Sequence, residues 1–166
     1  MYSSMLQNNF VGDDFTWLRW AADCGNNVIQ SQRCNINMST VIRYFTQSDG
    51  FFYRPGAKLY FLFMYSVFWL NQNAYHAVSL GLHFIVSVLV FFLAKKIFKS
   101  MLPSLIASML FLILSGLSEA VFWISATGFL FMACFSLSSL LSFIAWDETK
   151  KKIYIVSTLG LFILSL

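Results

Sequence analysis

The chain has 166 residues, of which 58% are hydrophobic, 19% aromatic and 11% charged, and its mean hydropathy is +0.69. Soluble domains carry roughly 25% charge, so this composition excludes an ordinary core surrounded by water and points to a bilayer as the solvent. The formal net charge is +4, but the cations are dispersed and several flank apolar runs as topology signals do, which argues against nucleic acid as a partner.

In chain order the first feature is FVGDDF at residues 10–15, which sets Asp13 beside Asp14. Phe15, Leu18, Ala21 and Ala22 follow at helix-like spacing, predicting a short amphipathic helix within residues 14–30. A carboxylate at such a start can serve as an N-cap, favoured by the helix dipole. It can also act as a general base at a membrane surface, or hold an acceptor or a divalent metal, while neighbouring groups stabilise a phosphate leaving group. Adjacent helical residues point about 100° apart, so only one of the pair faces a given substrate. Residues 31–50 are polar and are expected to form a loop with helical turns; Asn37-Met38-Ser39 is a sequon that matters only where the host glycosylates such loops. Cys24 and Cys34 can pair if residues 1–73 face an oxidising compartment, whereas Cys134 lies in an apolar run and is expected to pack as a small hydrophobe.

Tyr53-Arg54-Pro55 opens the next segment, with Lys58 one turn on. A planar guanidinium can donate two parallel hydrogen bonds to a phosphate, and proline fixes the chain entering a helix. The bland alternative is an Arg and Lys pair snorkelling to the headgroups. Residues 59–70, LYFLFMYSVFWL, are apolar yet too short to cross, and their aromatic load suits an interfacial or re-entrant helix.

Residues 74–94 contain no Asp, Glu, Lys or Arg and reach about 30 Å at helical rise, one hydrocarbon thickness. Lys95, Lys96 and Lys99 follow, and the positive-inside rule places that end in the cytoplasm. Residues 103–146 have Glu119 as their only charge, which predicts two spans, about 103–122 and 126–146, turning on the outer side. Lys150, Lys151 and Lys152 mark a second cytoplasmic end, and residues 153–166 begin a further span that is cut short.

These elements describe an all-α polytopic transmembrane protein whose residues 1–73 form an extracytoplasmic first loop carrying short amphipathic, juxtamembrane helices. No signal peptide precedes that loop, so the sequence is expected to be a fragment lacking a first span and later ones; translocation of a long N-terminal tail is the alternative. His76 and His83 lie seven apart on nearly one helix face; without a second ligand at metal spacing they are read as packing and hydrogen-bonding groups ahead of catalytic ones. Glu119 is costly inside a bilayer, hence a functional candidate, unless it sits at the outer turn where the topology puts it.

The order of features, an acidic pair in the first outer loop, then FFYRP, then AYHAVSLGLHFIVSVLVFFLAKKIF, then SEAVFWIS, resembles the GT-C class of polytopic glycosyltransferases. The nearest branches are the protein O-mannosyltransferase-like and tetratricopeptide-bearing mannosyltransferase enzymes, and the likeness covers about residues 10–146. The resemblance implies transfer of a sugar from a polyprenyl-phosphate donor to an acceptor outside the membrane, by an inverting displacement without a soluble nucleotide sugar; no cofactor is expected beyond that donor substrate, with a divalent metal left open. It implies Asp13 or Asp14 as base or acceptor-binding group, and Arg54, with Tyr53 and Lys58, at the lipid phosphate. It further implies that Glu119 and Trp123 match a family EAV-x-W stretch, and that His76 and His83 match Tyr-His and Leu-His positions. Where the tetratricopeptide-bearing branch has His-Pro-x-His and Gly-Arg-x-Asp, this chain has LSGLSE and WISATGF, a thinner polar turn. On this likeness the chain belongs in the plasma or inner membrane of a bacterium, or in the endoplasmic reticulum of a eukaryote, and the fragment alone is expected to be inactive. The competing function class is a non-enzymatic multi-pass protein such as a transporter or assembly subunit, in which Glu119 and the histidines matter and the acidic pair does not.

Overall fold

The computed structural model describes residues 9–22, 38–46, 55–114 and 121–165. All regular structure among them is helical: α1 (Asp14–Ala22), α2 (Met38–Thr46), α3 (Pro55–Phe68), α4 (Gln72–Phe98), α5 (Met101–Ile113), a 3-10 turn (Ile124–Ala126), α6 (Thr127–Thr149) and α7 (Lys152–Leu164). Two of the helical segments, Gln72–Phe98 and Ile124–Thr149, are long and apolar enough to cross a membrane. The helix expected over 103–122 is observed as Met101–Ile113, followed by Leu114 in extended conformation; residues 115–120 lie outside the described part.

Two compact units are formed. The first comprises Met1–Ala77 with Trp123–Gly128. Its centre is α3, which starts on Pro55, where a missing N–H costs nothing. Helices α1 and α2 both pack on α3. Trp17 of α1 stacks on Phe61 with ring centroids 5.5 Å apart and planes inclined by 10°, and Leu18 and Ala21 are buried beside it. Phe10 and Tyr60 meet Tyr75 edge to face, at 5.3 and 6.3 Å. Tyr75 also donates a 2.9 Å hydrogen bond to the Trp69 carbonyl, which satisfies an acceptor left over where α3 ends. Trp69 itself has φ 54°, a left-handed conformation normally left to glycine. Of α3, Ala57, Lys58, Tyr60, Phe61, Leu62, Met64 and Tyr65 are buried, whereas Phe63, Val67 and Phe68 are exposed, so the outward side of this helix is apolar as well.

The second unit comprises Val78–Phe122 and Phe129–Leu166. Its helices are joined by serine hydroxyls that donate to a neighbouring helix's carbonyl: Ser108 of α5 to Ser87 of α4 at 2.8 Å, and Ser139 of α6 to Thr158 of α7 at 2.9 Å. Small hydroxyl residues let helix backbones approach closely where apolar burial supplies little drive. Ser79, Ser87, Ser104 and Ser139 are all buried, while Leu102, Ile113, Val156 and Ile163 point outward with more than half their surface exposed. Helices α4 and α6 both end on a lysine in the left-handed region, Lys99 (φ 52°) and Lys150 (φ 54°), and a connection of two residues leads to the next helix in each case.

Candidate functional site

The acidic pair divides at the start of α1. Gly12, with φ +54°, turns the chain into the helix, and the Asp13 carbonyl accepts from the N–H groups of Thr16 and Trp17 at 3.0 and 3.2 Å, the first bonds of that helix. The Asp13 side chain is exposed. Asp14 is only 2% exposed, and its carboxylate is filled by donors. Oδ2 accepts from the Val11 N–H at 3.0 Å, reciprocating the Asp14 N–H bond to the Val11 carbonyl in the manner of a capping box. Oδ1 accepts from the Ser125 N–H at 2.7 Å and from the Ser125 hydroxyl.

Ser125 lies in the 3-10 turn opened by Trp123, whose carbonyl accepts from the Ala126 N–H at 2.9 Å. The stretches FVGDDF and FWIS are therefore brought together, although the bonded pair stand 111 positions apart in sequence. A buried ionised carboxylate is tolerable only when its oxygens are bonded, and three donors meet that need. Asp14 consequently fixes the entry of α1 to the turn, and the neighbouring Asp13 is held at a defined place with its carboxylate turned to the surroundings. Trp123 is partly exposed at 37%, on the same turn.

Comparison of the chain with protein-family models, with curated proteins and with solved structures returns no match.

Lys58 of α3 is buried at 4% exposure, and its ammonium lies 5.4 Å from the centroid of the Trp20 ring of α1, a cation–π contact that ties the two helices. Tyr53, Arg54 and Glu119, and the Cys24 and Cys34 pairing, fall outside the described residues. His76 is buried in the first unit. His83 is buried in the second, stacked on Phe111 at 5.4 Å, with Nε2 3.4 Å from the Leu112 carbonyl. Since a carbonyl only accepts, that geometry calls for a proton on Nε2, and it makes His83 a link between α4 and α5. Among the described residues no three His, Cys, Asp or Glu side chains converge to hold a metal.

Ser125 was the residue hardest to single out from sequence. The available signal was indirect: a second carboxylate in so apolar a chain needs buried donors, and the turn expected on the same outer side, near residues 115–128, carries hydroxyl residues.

Proposed function

We propose that the chain is a multi-pass membrane glycosyltransferase of the GT-C kind, which moves a sugar from a polyprenyl-phosphate donor to an acceptor at the extracytoplasmic face. The observation that carries this is the division of the acidic pair: Asp13 is exposed, while the adjacent Asp14 is bonded on both oxygens and so locks Asp13 in place. A general base needs a fixed position and an open carboxylate, and the exposure of Asp13 beside the bonded Asp14 supports it in that role. Asp14 then acts as a positioning residue. The outward apolar face of α3, with Phe63, Val67 and Phe68 exposed, is suited to lie against lipid where a polyprenyl chain would arrive. Arg54, next to the start of α3 in sequence, supplies the phosphate contact in this scheme, and Lys58 supports the interface of α1 with α3.

The test is transfer of radiolabelled sugar from a polyprenyl-phosphate donor in membranes of the source organism carrying Asp13→Asn at the natural locus. Loss of the base should lower transfer by about a hundredfold or more, with membrane insertion unchanged. Wild-type transfer in that variant would overturn the assignment of Asp13.

A further inference from the structure

The two lysine-rich helix ends of the second unit are one surface. Lys96 of α4 donates to both carboxylate oxygens of Glu148 of α6, at 2.9 and 2.6 Å, so the C-terminal ends of α4 and α6 lie side by side. Around that contact stand Lys95, Lys96, Lys99, Lys150, Lys151 and Lys152, all exposed, against two carboxylates, Asp147 and Glu148. Glu148 is engaged by Lys96 and Asp147 by Lys150. Among the described residues Lys95, Lys99, Lys151 and Lys152 form no ion pair, which leaves a concentrated positive charge with no acidic counterpart among those residues.

Directly beside it runs an open groove of about 490 Å³ lined by Phe92, Lys95 and Lys96 of α4 and Leu141 of α6, within the roughly 300–1,000 Å³ range of small-ligand sites. Its walls are hydrocarbon and its rim is cationic. Lys95 lies with its ammonium 5.9 Å from the Phe91 ring centroid, so its stem follows the apolar surface to the rim. A ligand that satisfies both parts needs an anionic head and an aliphatic body.

We infer that this groove binds an anionic phospholipid, with the phosphate between Lys95 and Lys99 and an acyl chain against Phe92 and Leu141. Free phosphate would leave the apolar walls unused, and an acidic peptide would have to bring its own hydrocarbon to fill them. Each lysine near an anionic lipid surface contributes about 1 kcal/mol, roughly a fivefold preference, and the Lys96 to Glu148 pair bridges the two groove walls. The inference rests on membrane insertion of the chain but not on its being a transferase.

Native mass spectrometry of the full chain released from bilayers of equal phosphatidylglycerol and phosphatidylcholine tests it. Alkaline carbonate extraction of the expressing membranes comes first; release of the chain into the supernatant would overturn both membrane insertion and lipid binding. For a chain that stays with the membrane, phosphatidylglycerol adducts should exceed phosphatidylcholine adducts by about tenfold, with Lys95→Gln/Lys99→Gln reducing the excess to near parity. Leu141→Trp, which fills the groove and leaves every charge in place, should reduce it as well. Equal adducts in the wild type would overturn the inference while leaving insertion intact. So would an excess lost in the lysine variant but unchanged by Leu141→Trp, since that result describes a diffuse charge band and no groove. Circular dichroism of both variants should retain the wild-type helical signal; if the lysine variant loses it, Leu141→Trp alone decides between the two outcomes.

Discussion

Replacing Asp14 by alanine removes the acceptor of three donors at once: the Val11 N–H, the Ser125 N–H and the Ser125 hydroxyl. Each buried donor left unbonded costs about 1–3 kcal/mol, and bonds to a charged acceptor lie toward the upper end. The hydroxyl can rotate toward another acceptor and the turn can relax, so the sum expected is about 3–5 kcal/mol, a large part of the stability of an ordinary domain. Asp14→Asn should cost less, because its carbonyl oxygen can still accept from Ser125 while its amide faces the Val11 N–H donor to donor. Ser125→Ala removes one donor and keeps the main-chain N–H, at about 1–2 kcal/mol. The double variant Asp14→Ala/Ser125→Ala should cost less than the two single costs added, since the residues share their bonds. Amide hydrogen exchange of the full chain in lipid nanodiscs reads this locally. In Asp14→Ala, protection across Asp14–Ala22 and Ile124–Ala126 should fall about a hundredfold or more, with the second unit unaffected. Protection within twofold of wild type in both segments would refute the view that Asp14 joins them.

Two further substitutions probe the helix contacts. Trp17→Ala empties the stack on Phe61 and should lower stability by about 3–5 kcal/mol, read as a shift in the denaturant midpoint, with Trp17→Phe recovering much of it; a loss below about 1 kcal/mol for the alanine would show that α1 is not anchored there. Ser108→Ala deletes the hydroxyl bond from α5 to α4 and should cost only about 0.6 kcal/mol, the mean for such bonds in membrane bundles, measured by unfolding in bicelles.

The long elements were legible because an apolar run without charge, closed by lysines, admits few alternatives. The span expected at 74–94 is contained in Gln72–Phe98, and that at 126–146 nearly coincides with Thr127–Thr149. The observed helices run further because Lys95, Lys96 and Asp147 can continue a helix with their charges turned outward. The helix after the acidic pair was readable from Phe15, Leu18 and Ala21, and it is described over Asp14–Ala22. Helix α2 was not: MSTVIRYFT is rich in β-branched residues of modest helix propensity, and its packing against α3 is a tertiary fact. The end of α5 at Ile113 was missed because a full span of ~20 residues was expected there, although Ser115-Gly116 just beyond it is a stop signal. Of the site, the acidic pair was visible, but its division into an exposed and a buried member was not. That division depends on Ser125, and one serine beside a tryptophan carries no signal of what it will bond.

The partnership of Asp14 with Ser125 also sets a timetable. A ribosome adds about 5–20 residues per second, so the 111 positions between the two correspond to roughly 5–20 s of synthesis. Throughout that interval the carboxylate has only the Val11 N–H from its own loop and must keep water on its other oxygen. Helix α1 can dock on α3 earlier through Trp17 and Phe61, but its first turn remains open to the solvent until the turn at Ile124–Ala126 arrives. The first unit is thus completed only once Trp123–Gly128 have been made, and a nascent protein arrested before residue 125 would carry an acidic pair in which both members are hydrated.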